Sequence, residues 1–230
     1  MTRIKPPLVE GEMYHVFNRG VAFMPIFTDR LEYKRAMNLI SYYRNETTPL
    51  SYSHFMRSPL TKRVDILEEM RSRGKFLIKI IALCLMPNHF HLVLQQKTKK
   101  GISKFMANFQ NSYARYFNIK NNRVGPLLQG DFKAVLIETK TQFLHVVRYV
   151  HLNPYSSSIV KTADELLDYE FSSLPDYVGL KNREFVEKDT VMNYFNSPQQ
   201  YKEFVLDHAD YQKKLHEIKH LLIEKDERLE

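Results

Sequence analysis

Two short runs of the chain hold residues whose types and spacing suit chemistry. The first is Met86-Pro87-Asn88-His89-Phe90-His91-Leu92-Val93-Leu94. Side chains alternate between the faces of a β-strand, so His89 and His91 project together while Phe90, Leu92 and Leu94 point the other way. Two imidazoles side by side can grip one divalent cation, and the apolar residues behind them can anchor the strand in a core. The same pattern also fits an amphipathic strand with histidines at its polar positions. The second run is Val146-Val147-Arg148-Tyr149-Val150-His151-Leu152-Asn153-Pro154. Tyr149 and Asn153 stand four apart and share a helix face, which can offer a nucleophile and a metal ligand to one point. Alternatively, Tyr149 packs its ring on the core and Asn153 satisfies the chain end before proline.

These runs need elements to position them. Residues 13–19 read as a strand closed by Gly20. Thr28 or Asp29 can cap a helix whose apolar face is Tyr33, Ala36, Met37, Ile40 and Tyr43. Residues 47–75 hold Pro49, Pro59, many serines and a short charged helix pattern around Val64, Leu67 and Met70, the composition of a surface insertion. Residues 76–86 form a long apolar run suited to a central strand. Pro87-Asn88 supplies a tight turn, and residues 89–95 return as an antiparallel partner. Ile102, Phe105, Met106, Phe109, Tyr113, Tyr116 and Phe117 line one face of a helix over 101–118. Residues 132–138 read as a further strand. Thr139 and Gln142 have the capping-box spacing, opening a helix from about 140 to 152 that Pro154 is expected to stop. Short helix patterns and a highly charged last segment follow. Strand, helix, strand, strand, helix, strand, helix is an α+β order: an antiparallel sheet with helices on one face.

Composition narrows the class. With 43% hydrophobic and 13% aromatic residues, the chain is globular rather than disordered. It has no apolar run long enough for a membrane span and no signal-peptide pattern, and its single cysteine, Cys84, sits in an apolar run where a buried thiol is expected. These features point to the cytoplasm and to no membrane partner. A formal charge of +8 with many Tyr and Phe suits a polyanion with exposed bases. Lys97, Lys99, Lys100, Lys104, Arg115, Lys120, Arg123 and Lys133 fall in the segments around the histidine strand and the following helix, where as a group they can hold DNA phosphates. Any one of them also fits an ordinary solvated face. His145 reads as a helix-surface residue, and His15, His54, His208, His216 and His220 lack a partner pattern.

In order and spacing, four blocks make a more specific pattern. They are Tyr14-His15-Val16-Phe17-Asn18-Arg19-Gly20, Met86 to His91, Gly125-Pro126-Leu127-Leu128-Gln129-Gly130-Asp131-Phe132-Lys133, and Arg148 to Pro154. Tyr169-Glu170-Phe171-Ser172-Ser173 with Tyr177-Val178-Gly179 adds a fifth. From about residue 12 to 206 the chain resembles the HUH single-tyrosine transposases of insertion sequences, most closely their REP-associated tyrosine transposase branch. Asp131 departs from that pattern, standing where an arginine is more usual. The resemblance implies a ferredoxin-like core, Mg²⁺ or Mn²⁺ on His89, His91 and Asn153, and Tyr149 as nucleophile. It also implies a single-stranded or hairpin DNA partner, with Arg19 among the residues that hold it. Two histidines and an amide suit such a cation in an open site, whereas closed zinc sites usually draw on several thiolates.

The implied organisation is a catalytic domain over residues 1–158, with the insertion at about 47–75, and a small helical extension over 159–230. The alternative function is a domesticated protein on the same fold that binds nucleic acid without cutting it. A replication or conjugation initiator would share the chemistry, but the chain has no helicase segment. Nothing in the sequence decides between monomer and homodimer.

Overall fold

The computed structural model describes residues 8–214, so the charged last segment, with His216 and His220, lies outside the described residues. Strand β1, Met13–Arg19, alternates in burial along its length, with Tyr14, Val16 and Asn18 turned inward. Helix α1, Arg30–Tyr43, follows. Asp29 caps it by accepting from the Glu32 amide at 2.9 Å, and the Glu32 carboxylate reaches back to the Thr28 amide at 2.6 Å and its hydroxyl at 2.8 Å. Of the two candidates Asp29 is the cap, and the Glu32 carboxylate holds Thr28 just before it, a reciprocal arrangement close to a capping box. The expected insertion holds two helices, α2 (Tyr52–Arg57) and α3 (Leu60–Arg73), rather than one. Ser51 starts α2, and Gly74, at φ 58°, closes α3 in the left-handed conformation.

Strands β2 (Ile78–Met86) and β3 (His89–Gln96), helix α4 (Gly101–Lys120) and strand β4 (Lys133–Leu136) complete a four-stranded antiparallel sheet of order β2-β3-β1-β4. Each helical crossover steps over one strand, the ferredoxin-like arrangement expected from the resemblance. Handedness rules for such crossovers put both helices on one side, and α1 and α4 do pack together. Phe90 of β3 meets Phe109 of α4 with ring centroids 5.3 Å apart. No side chain caps α4 at Lys100; instead the buried Gln96 accepts from the Ile102 amide at 3.1 Å. β4 is shorter than residues 132–138 because only Lys133–Leu136 find ladder partners, Phe17 to Tyr14 of β1.

The chain divides into two compact units, one up to Ile80 with Pro87–Ile137, the other Ile81–Met86 with the chain from Glu138 onward. In the second, helix α5 spans Lys140–Ser156 with Pro154 inside it, so Pro154 does not stop the helix. Proline forfeits one donor, and within the last turn that costs a single bond. The Ser157 amide still reaches the Asn153 carbonyl at 3.0 Å. Asn153 thus keeps helical geometry. The Thr139 hydroxyl caps α5 through the Gln142 amide, as its spacing predicts. Helices α6 (Leu174–Tyr177), α7 (Asp189–Met192) and α8 (Pro198–Leu206) follow. Among the described residues no helix is long and apolar enough to cross a membrane.

Candidate active-site residues

In the first unit, the register of the two central strands assembles the histidines. Arg19 lies opposite His89, Phe17 opposite His91, and His15 opposite Val93. Directly opposed residues share a face, so His15, Phe17 and Arg19 stand on the histidine side of the sheet. The His89 and His91 rings are 5.0 Å apart and nearly perpendicular, at 87°. His15 stacks on His91 at 5.0 Å, and its Nε2 lies 2.9 Å from His91 Nδ1. His15 therefore does have a partner, contrary to the sequence expectation. Burial holds His91 well below the ordinary histidine range, with His89 and His15 adding to the effect, and burial lowers His15 to about 4. Both are neutral imidazoles at neutral pH, the form that ligates a metal.

Asn88 fixes the remaining ring. Its Nδ2 donates to the Phe23 carbonyl at 3.3 Å, which turns its Oδ1 toward His89 Nδ1, 2.6 Å away. An amide oxygen carries no hydrogen, so His89 Nδ1 must be the donor. The lone pair is then on Nε2, the usual arrangement for a metal-ligating histidine whose other nitrogen is held from behind. This donor set fits a borderline divalent cation. Among the described residues no three or more His, Cys, Asp or Glu side chains gather into a metal cluster. A cation at His89 and His91 would therefore complete its shell with neutral or substrate oxygens.

Tyr149 and Asn153 belong to the second unit. Tyr149 is 37% exposed, whereas Arg148, Val150, His151, Leu152 and Asn153 beside it are buried. Burial of the ring pushes the phenol above its ordinary pKa, a side-chain hydrogen bond from Asn153 opposes the shift, and Cys84 adds to it slightly. Asn153 Nδ2 also reaches the Tyr149 carbonyl at 3.4 Å. The four-residue spacing thus brings phenol and amide together. Sequence reasoning missed the buried role of His151, whose Nδ1 lies 2.7 Å from the Tyr201 hydroxyl and Nε2 2.7 Å from the Ser173 hydroxyl. Ser173 in turn accepts from the Leu83 amide at 2.9 Å, which ties α5 to β2 through Ser173. His145 is exposed and pairs with Arg148 at 2.6 Å. Cys84 is fully buried, as expected, and burial raises its thiol pKa.

The basic residues are placed in separate groups. Lys133 stands opposite Phe17 and so shares the histidine face with Arg19. Lys97, Lys99, Lys100 and Lys104 lie beyond Gln96, at the opposite end of β3 from His89, and Lys104 Nζ donates to the Glu46 carbonyl at 3.1 Å. Arg115 is exposed on α4, and Arg123 binds the Asn118 side chain at 3.2 Å. Lys120 is committed elsewhere, paired with Asp29 and with Glu32 at 2.8 Å.

Residues 55–153 match the family model of the IS200-like transposases, a segment that holds His89, His91, Tyr149 and Asn153. This segment, somewhat under half of the chain, is similar to the IS200-like transposases. Among solved structures, the chain is similar to a REP-associated tyrosine transposase bound to a REP hairpin, at 14% identity and TM-score 0.51, over 81% of this chain and 98% of that one. That likeness shows the fold. A crystal structure of a transposase candidate from Deinococcus radiodurans R1 matches at 16% identity and TM-score 0.33, over 65% of this chain and 95% of that one. No curated protein sequence matches significantly.

Proposed function

We propose that this protein is a transposase that cleaves and rejoins single-stranded or hairpin DNA through a 5′-phosphotyrosine link on Tyr149, and that it is metal-dependent. The observation that carries the proposal is that the family segment closes on Asn153 and includes an H-x-H pair and a partly exposed phenol hydrogen-bonded to that amide. The hairpin bound to the REP-associated relative, and the +8 charge of this chain, support a DNA hairpin as partner. His89 and His91 would hold Mg²⁺ or Mn²⁺, with Asn153 as the third donor the family resemblance implies. Such a cation stabilises charge on the nonbridging phosphate oxygens.

Tyr149 Oη would attack phosphorus and lose its proton, while the bond to the 3′-oxygen breaks and that oxygen leaves as a hydroxyl. One phosphoester bond replaces another, so a later 3′-hydroxyl can reverse the step without ATP. Burial disfavours the phenolate, so the phenol stays neutral until substrate and an ionising partner arrive. Asn153 assists by donating to the oxygen as charge develops.

The test is incubation with a labelled hairpin carrying single-stranded flanks, in Mn²⁺. A covalent adduct on the Tyr149 peptide is expected, absent with EDTA and absent in Tyr149→Phe, which keeps the ring and hairpin affinity. A perfect duplex should react far more weakly. Hairpin binding without any adduct would instead establish the non-cleaving alternative, and an adduct on another peptide would displace Tyr149.

A further inference from the structure

Between β1 and α1 the chain makes a turn that places an aromatic ring in solvent. Ala22 and Phe23 stand at φ 48° and φ 58°, in the left-handed region that side chains with a Cβ rarely adopt. The turn is nevertheless held from several sides. The Gly20 amide donates to the Asn88 carbonyl at 2.8 Å, and the Val21 amide to the Leu127 carbonyl at 3.1 Å. Beyond it, the Ile26 and Phe27 amides both reach the Pro87 carbonyl, at 2.7 and 3.0 Å. Gly20 has no substitute here, since a Cβ would lie 2.3 Å from the Met24 carbonyl oxygen.

The ring so presented is 58% exposed. The Arg19 guanidinium lies over one face, 4.2 Å from the centroid, and is itself steadied by Arg19 Nε donating to Gln129 Oε1 at 2.5 Å. The exposure therefore belongs mainly to the other face. Folding gains nothing from forcing a phenylalanine into a disfavoured backbone to leave it wet, and such outliers gather at binding and catalytic sites. A flat, rigid ring backed by a cation is suited to a flat π-system in a polyanion. Its position agrees. Asn88 bonds the Phe23 carbonyl with one end of its amide and His89 with the other, and Arg19 is the cross-strand neighbour of His89.

We propose that Phe23, braced by Arg19, is a stacking platform for one unpaired nucleobase beside the phosphate handled at His89. The base must be unpaired, because a base within a duplex already has both faces covered by its neighbours. This rests on the reading that the transposase acts on DNA with a single-stranded part.

The experiment compares a blunt DNA hairpin with the same hairpin carrying a short 5′ or 3′ unpaired extension, in EDTA so that binding is read without cleavage. 2-Aminopurine is placed at each extension position in turn. Wild type should favour one extended hairpin and quench the probe at one position. Phe23→Ala, which keeps the same backbone demand, should lose about tenfold in affinity for that DNA, together with the quench, and nothing for the blunt hairpin. Phe23→Trp should restore both. Equal binding of the two DNAs by Phe23→Ala and wild type would overturn the platform, as would an equal loss on both or a quench that persists. Adduct formation by wild type in Mn²⁺ reads the other proposal separately: a platform without adducts overturns the nuclease reading alone, and adducts with an unaltered Phe23→Ala overturn the platform alone.

Discussion

Asn88 links the two proposed sites through one side chain, holding the Phe23 carbonyl with its NH₂ and the His89 Nδ1–H with its oxygen. Removing it should leave the fold, since its backbone carbonyl still receives the Gly20 amide. It should cost His89 its fixed tautomer and orientation. Loss of such an outer partner typically weakens metal affinity about 10- to 100-fold. Asn88→Ala is therefore expected to raise the Mn²⁺ concentration for half-maximal adduct formation by about that factor, with the rate at saturating Mn²⁺ largely retained. A metal titration that superimposes on wild type would remove Asn88 from the metal site. The H-x-H pair was legible in the sequence because a strand's two-residue period is a local rule, and Tyr149 with Asn153 because a helix repeats after four. His15 against His91 was not legible: the pair is set by the register of β1 on β3, across 76 residues of chain. Phe23 gave no signal either, since a left-handed φ on a phenylalanine is imposed by the contacts that hold its turn.

At the scale of elements, the start of α1 is fastened to the end of α4 by a buried carboxylate. Glu32 is fully buried, and its Oε1 accepts from Lys120 at 2.8 Å and Asn121 at 3.0 Å while Oε2 takes the Thr28 donors. Burial alone would raise its pKa, but the Lys120, Asn121 and Thr28 hydrogen bonds outweigh it and the net shift is downward. A depressed folded pKa means that the unfolded chain binds the proton more readily. The stabilisation is then complete above the unfolded value of about 4.3 and is lost as pH falls through the folded one. Glu32→Gln would set an amide donor against the Lys120 ammonium, for an expected loss of about 1–3 kcal/mol at pH 7. The gap to wild type should narrow at the lowest pH where both still fold. Urea unfolding at the two pH values measures it, and an unchanged gap would show that Glu32 contributes shape rather than charge. The cap at Asp29 was readable from the sequence, but the part Glu32 plays in it and its tie to α4 were not. Pro154 misled for a related reason: the rule that proline ends helices describes interiors, and here it falls where one lost donor is tolerable.

Over the molecule, a charge of +8 invites a phosphate backbone, but position decides which charges can meet one. Arg19 and Lys133 share the histidine face, whereas Lys97, Lys99, Lys100 and Lys104 gather beyond the other end of β3. His89 and Gln96 are the first and last residues of that strand, so at about 3.4 Å per residue the two groups are about 24 Å apart. A duplex rises about 3.4 Å per base pair, so a hairpin stem with its base at His89 would need about seven pairs to reach those lysines. Affinity in EDTA should therefore climb as the stem is lengthened to about seven pairs and then level off. The salt dependence should steepen over the same range, because each new phosphate contact releases counterions. Replacing the four lysines together by Gln should cancel both effects. The slope of log K against log salt should then flatten by about 3, at about 0.9 per contact, since Lys104 already spends its amine on Glu46. Binding of a three-pair stem should be untouched, which separates lost contacts from lost folding. If stem length makes no difference to the salt slope and the four-lysine variant keeps it, those lysines are a solvated face that takes no part in holding the hairpin.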